Sequence, residues 1–381
     1  MFLHLGTKST AMSHKKLLLA ISALLLSTFS FSQILFTIAD GGNKKATVSE
    51  RIGITDVTLH YDRPAVKGRE GKIWGELVHK GFADLGFGTS KAAPWRAGAN
   101  ENTTISFSTD VMVEGKTLPA GTYGLFIAMG DGDATIIFSN NSTSWGSFFY
   151  DPKEDAQRVT VKTAALSESV ERLKFEFMDE KENSATVALL WEKLKIPFKI
   201  EVDYIQTQLQ SYRNELKNAK GFRWEAWLEA VNFCVQRNVN LDEALQWSDY
   251  SISGPFVGQK NFRTLNAKSS LLNKMGRGAE ADSLLKAAMP LATMQELHNY
   301  GRQLLREKKP TQALEAFKLN AQKNPNVFTT NMGLMRGYSA NGDFKNALKY
   351  AKAAQPQATD KANKDAIEGF IKMLEEGKDI N

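Results

Sequence analysis

The period of the apolar side chains changes once along this 381-residue chain, near residue 203, and that change constrains the fold more than any other feature. Before it, apolar residues recur at every second position in short runs. After it, they recur at intervals of three and four to the end. A period of two puts side chains on one face of a strand, and a period near 3.6 puts them on one face of a helix. Two domains in series are therefore expected, all-β over residues 45–203 and all-α over residues 204–381.

Within the first part, residues 52–61 alternate, and Ile105 and Phe107 stand two apart in Thr103-Thr104-Ile105-Ser106-Phe107-Ser108-Thr109. Glu114-Gly115, Pro119-Ala120-Gly121 and Asp131-Gly132-Asp133 read as turns between short strands. Further strands are expected at 158–164, 170–178, 184–191 and 195–202. Roughly nine or ten short strands, with no helix-length crossover between them, predict an antiparallel β-sandwich. Residues 63–101 interrupt the pattern with an irregular stretch rich in Gly, Lys and aromatics, and a segment that long inside a compact domain is often functional.

In the second part Ala244, Ala281, Ala313 and Ala347 lie 37, 32 and 34 residues apart, close to the spacing of about 34 in tetratricopeptide units. Around Ala313, Gly301, Phe317 and Pro325 fall on that template; around Ala347, Leu334, Tyr338, Gly342 and Ala354 do. Small residues let paired helices approach while large ones fill the groove between pairs. The second unit keeps Ser269 and Gly276, whereas the first has Asn232 at the small position and only Leu228 and Ala244 in its favour. Residues 204–219 form a flanking helix, and residues 358–377 are expected to cap the stack.

Several segments of the β part taken together resemble a known family. They are Ala46-Thr47-Val48-Ser49, residues 53–58 (Gly-Ile-Thr-Asp-Val-Thr), residues 61–69 (Tyr-Asp-Arg-Pro-Ala-Val-Lys-Gly-Arg), residues 95–101 (Trp-Arg-Ala-Gly-Ala-Asn-Glu), residues 118–123 (Leu-Pro-Ala-Gly-Thr-Tyr) and Trp145-Gly146. Over residues 45–202 the chain resembles the bacteroidete domain of unknown function 2911 family. That resemblance implies an exported β-domain, often at the N-terminal end of a longer chain, with no established activity. Residues 78–94 are longer here than the family's short link.

Residues 1–32 read as a secretory signal with an upstream extension. From Met12, His14-Lys15-Lys16 is basic, residues 17–26 are apolar, and Ser30 and Ser32 suit cleavage before Gln33. Residues 33–44 then form a linker. The alternative is an uncleaved N-terminal membrane anchor, because Ile34, Leu35, Phe36 and Ile38 prolong the apolar run. With cleavage, the protein is expected to be periplasmic or secreted and to have no membrane span. Removing Lys8, Lys15 and Lys16 lowers the formal net charge from +6 to +3, too weak a balance to argue for nucleic acid. The single cysteine, Cys234, permits no internal disulfide, and its helical apolar setting suggests an inert thiol.

Candidate chemistry gathers in the irregular stretch. Tyr61, Arg63, Lys67, Arg69, Trp74, Trp95, Arg96, Asn100 and Glu101 offer guanidinium forks and indole faces suited to a small anionic or sugar-like ligand. The opposing reading is that Arg96 pairs with Glu101 or Asp62 to pin a long loop whose tryptophans form a small core. Asp62, Glu70, Glu76 and Glu101 could supply the acid and base of a hydrolase acting on envelope polysaccharide or another exported substrate, if two of them meet in space. His60, His79 and His298 lack metal-binding spacing, and no phosphate loop or serine elbow occurs, so no metal or cofactor is expected. The expectation that follows is a non-catalytic envelope scaffold. Its helical repeats engage a protein partner through their groove.

Overall fold

A computed structural model describes residues 42–381, which form two compact units dividing after Tyr204. The signal expected at residues 1–32, the anchor alternative and most of the expected linker lie outside the described residues.

The first unit contains β1 (Lys44–Ile52), β2 (Thr55–Arg63), β3 (Thr104–Phe107), β4 (Val111–Val113), β5 (Lys116–Leu118), β6 (Gly121–Met129), β7 (Asp133–Ser139), β8 (Asp155–Lys162), β9 (Ala164–Lys181) and β10 (Ser184–Glu201). They make a six-stranded sheet in the order β1-β2-β3-β6-β7-β8 and a four-stranded sheet in the order β5-β4-β10-β9. Every pairing is antiparallel. Alternate residues such as Leu59, Ile105, Leu125 and Phe138 of the first sheet share one core with Phe175, Leu189, Trp191 and Phe198 of the second. The antiparallel β-domain is thus as the period-two pattern predicts.

Two strand boundaries differ from the sequence reading. The run at 52–61 is not one strand: Gly53, with φ of 60°, turns the chain between β1 and β2. A Cβ at Gly53 would also come within 2.9 Å of Tyr204 Cβ, so a larger residue is excluded there on two counts. The runs at 184–191 and 195–202 are one strand, because Glu192 adopts a φ of 50° inside a bulge and shifts the alternation without breaking the pairing to β9. The buried Glu192 carboxylate accepts from the backbone N–H of Gly71, at 3.3 Å, and of Lys193, at 2.8 Å. A charged residue that looks like a strand end is therefore a fastening point for the irregular stretch.

The second unit holds α1 (Tyr204–Glu215), α2 (Trp224–Arg237), α3 (Leu241–Ser253), α4 (Phe262–Lys274), α5 (Gly278–Ala288), α6 (Met294–Arg306), α7 (Pro310–Lys323), α8 (Phe328–Ala340), α9 (Phe344–Ala354) and α10 (Lys361–Glu375). Helices α2/α3, α4/α5, α6/α7 and α8/α9 pack as successive hairpins, each through one of the four template alanines, all fully buried. This is the tetratricopeptide-like arrangement that the repeat spacing predicts. Phe317 on α7 is wholly buried and fills the space opposite three glycines. Cβ atoms at Gly301 on α6 and at Gly333 and Gly337 on α8 would stand 2.4, 2.6 and 2.9 Å from its ring. In the second hairpin Ser269 takes the small position, and its hydroxyl donates to the carbonyl of Ala281 at 2.8 Å. Helix α10 covers the last hairpin with Phe370, Ile371 and Leu374 against Met335, Ala347 and Ala351.

Candidate functional site

The residues singled out between Tyr61 and Glu101 are brought near one another, but most are engaged by the protein itself. Tyr61 lies in the core, edge-on to Phe175, and its hydroxyl accepts from the Phe175 N–H at 3.2 Å. Trp95 stacks on Trp191 at 6.0 Å, its indole N–H donating to the carbonyl of Gly98, while Trp74 sits edge-on to both rings. Arg63 donates to the Leu173 carbonyl at 2.8 Å, and Arg69 to the carbonyls of Val66 and Ala65 at 2.9 and 2.7 Å. These forks tie the irregular stretch to β9 and close its own turns. Lys67 and Glu101 are the exposed members of the set.

The expected pairing of Arg96 with Glu101 or Asp62 is not what forms. Left-handed Ala97 and Asn100, at φ of 51° and 53°, fold the turn back so that the Asn100 carbonyl accepts from Arg96 Nη1 at 2.8 Å. The guanidinium then lies 5.4 Å from the Trp145 ring and 5.2 Å from Phe148, so aromatic faces replace the carboxylate as its neighbours. Gly146 is required behind it, since a Cβ there would stand 2.7 Å from Nη1. Glu101 pairs instead with Lys45 at 2.8 Å, and this bond holds its carboxyl below the usual range. Asp62 accepts from the Asn100 amide at 3.2 Å; burial, then the neighbouring Glu101, pushes its pKa up. Glu70 and Glu76 are exposed. A raised carboxyl beside a second one is one ingredient of acid–base chemistry. Here, however, the indoles that would bed a substrate are packed in the core.

The helical unit presents side chains that the fold has not used. Between the second and third hairpins, joined where Phe262 meets Tyr300 edge-on at 5.8 Å, opens a cleft of about 620 Å³. Leu285, Met289 and Leu304 give it apolar wall, and Asn266 and Asn273 on α4 with Gln312 on α7 give it amides. None of these three amides makes a hydrogen bond among the described residues. A second recess of about 440 Å³ at the first hairpin is lined by Tyr212, Phe233, Glu229 and Arg263. A third of about 180 Å³ lies between α6 and α8 and is lined by Arg302, Leu305, Arg306, Arg336 and Asn381, whose amide donates to the Arg336 carbonyl at 3.1 Å. His298, one turn before Arg302, is held below its usual pKa, first by burial and then by Arg302 and Arg336, so it adds no charge at neutral pH. Cys234 is fully buried, and burial pushes its thiol up to about 11, which removes it as a nucleophile.

The segments that carry the family resemblance fall on β1, β2, the two ends of the pinned stretch, the turn from β5 into β6 and the loop after β7, with Glu192 and Trp191 of β10 holding the pinned stretch in place. Residues 43–200 match the family model described as "Protein of unknown function (DUF2911)". The DUF2911 match thus spans β1 to the end of β10 and stops where the helical unit begins. No curated protein matches the chain. Among solved structures, it is similar to YrrB, described as a TPR protein with an unusual peptide-binding site. That match has 15% identity and a TM-score of 0.27, covering 44% of this chain and 86% of that one. It is also similar to a tetratricopeptide repeat protein from Parabacteroides merdae, with 15% identity and a TM-score of 0.25, covering 46% of this chain and 80% of that one. Among the described residues no helix is long and apolar enough to cross a membrane.

The arginine trio is a cluster that the sequence analysis did not single out. Its signal is present: Arg302 and Arg306 are four apart on one helix face, and Arg336 follows Arg302 by 34 residues, the repeat interval between Ala313 and Ala347. Reading the repeats for their template residues alone hides the positions that the template leaves open.

Proposed function

We propose that this protein is an exported binding scaffold whose helical unit engages an extended segment of a partner protein in the cleft between its second and third hairpins. The observation that carries the reading is the set of unpaired amides, Asn266, Asn273 and Gln312, beside apolar wall in that cleft. An amide side chain is both donor and acceptor, as is each peptide unit of an extended chain, so the two match without regard to sequence. Apolar wall between them suits the partner's side chains. The β-domain serves as a rigid companion, with the stretch at 63–101 fastened to its own sheets.

A peptide selected against the full chain from a random display library tests this. Ser270 lines the cleft, and Ser270→Trp fills part of it. Binding of the selected peptide is expected to weaken at least about tenfold. A selected peptide that binds Ser270→Trp and the unaltered chain equally well places its site elsewhere and overturns the reading.

Export is the second part of the proposal and rests on the basic and apolar segments of residues 12–32. The mature protein recovered from the cell envelope is expected to begin at Gln33. Recovery with Lys15 and Lys16 still attached, in the membrane fraction, would show an anchor instead.

A further inference from the structure

Two other arginines of the helical unit show the usual arrangement, while Arg263 lies over the Trp224 ring, 5.1 Å from its centroid. Arg213 makes a two-pronged pair with Glu243, at 2.7–3.1 Å, and Arg277 pairs with Glu280. Arg302, Arg306 and Arg336 differ. They face one recess between α6 and α8, and among the described residues none of them has an ion-pair partner. The acid that acts on Arg336 is Asp379, but its carboxylate is engaged by the Ser339 hydroxyl at 2.7 Å and the Asn381 amide at 2.8 Å. Arg336 lies 5.1 Å over the ring of Phe370 and is half-buried; burial and the nearby Arg302 both disfavour its charge. Three guanidinium groups around one small recess repel one another, and their forks fit the paired oxygens of a carboxylate or phosphate.

We infer that this recess binds an oxyanion, and that in function the anion is an acidic side chain on the same extended partner segment. The occupant, though not the recess, rests on the proposed function. Arg302 and Arg336 stand at equivalent places in successive repeats, so the anion bridges two hairpins and fixes the register of a chain lying along them. Leu305, on the wall between the arginines, supplies an apolar surface beside the charge. The partner chemistry is therefore an extended peptide with Asp or Glu near an apolar residue.

The test uses the full chain and the variant R302Q/R306Q. Both arginines are exposed, so the fold is expected to persist, and a circular dichroism melt checks that it does. One extended peptide is titrated in a Glu-bearing and a Gln-bearing version, alongside inorganic phosphate. The Glu version is expected to bind the unaltered chain at least about tenfold more tightly than the Gln version. In R302Q/R306Q the two are expected to differ by less than about twofold. A third variant, R302K/R306K, keeps the charge without the fork and is expected to fall between them. Equal affinity for the Glu and Gln versions in the unaltered chain overturns the anion site and leaves the scaffold reading standing. If phosphate binds the unaltered chain and not the variant while neither peptide binds, the recess is an oxyanion site but the acidic-peptide occupant is overturned, together with the scaffold.

Discussion

Replacing Phe317 by alanine is expected to destabilise the helical unit by about 3–5 kcal/mol, the range for truncating a fully buried aromatic. The upper end applies here because of what surrounds the ring. A cavity shrinks when neighbouring side chains move in, and three of the positions facing Phe317, Gly301, Gly333 and Gly337, have none to move, which leaves neighbours such as Leu304 and Leu334 to fill the space. The loss falls on the contacts between α6, α7 and α8, and repeat units hold together only through such neighbours. Urea unfolding followed at the helical circular dichroism band measures it, with amide exchange showing the earliest loss of protection in those three helices. Gly337→Ala tests the same contact from the other side: its Cβ would meet the ring at 2.9 Å and Leu314 at 3.0 Å. Overpacking of that kind costs about 1–3 kcal/mol. A Phe317→Ala change of less than about 1 kcal/mol would mean that the hairpins are not locked by this ring.

A comparable effect is expected in the other unit from Trp191→Ala, again about 3–5 kcal/mol. Trp191 is 1% exposed, and its ring is the surface on which Trp74 and Trp95 rest. Its removal therefore frees the stretch at 63–101 as well as opening the core. Limited proteolysis with mass mapping is expected to show new cleavage within residues 63–101 before any cleavage in β6 or β7. Trp191→Phe is the milder control, because Trp191 Nε1 has no hydrogen-bond partner among the described residues and none is lost with it. Trp145, 58% exposed, is the contrasting case: its replacement by alanine should leave stability within about 1 kcal/mol. If Trp191→Ala leaves residues 63–101 as protected as before, the stretch is held by its arginine–carbonyl bonds and not by the tryptophan cluster.

The period switch near residue 203 and the spacing of four alanines were enough to read the architecture, because each reports a burial pattern that the chain cannot satisfy in another way. The limits of that reading are equally physical. Gly53 looks like one residue in an alternating run, and only its positive φ shows the turn. Glu192 looks like a strand end, since sequence does not reveal that a bulge will bury its carboxylate against Gly71. Arg63 and Arg69 illustrate the difficulty with site prediction. A guanidinium fork is equally suited to a ligand oxyanion and to a backbone carbonyl, and the partner of Arg63 lies 110 residues away in the chain. The nine candidate residues were legible as a cluster, but their partners were not. In the helical unit the reverse held: Arg302, Arg306 and Arg336 sit at positions the repeat template leaves free, and their spacing was legible in the sequence while their lack of an ion-pair partner among the described residues was not.

Amide exchange of the full chain with and without a bound, selected peptide tests most directly whether the helical unit is the binding element. The account predicts new protection in α4 and α6, the helices that carry Asn266, Asn273 and Tyr300, extending to α8 at Arg336. Protection confined to residues 63–101 and the strands around them, with the helices unchanged, would contradict it.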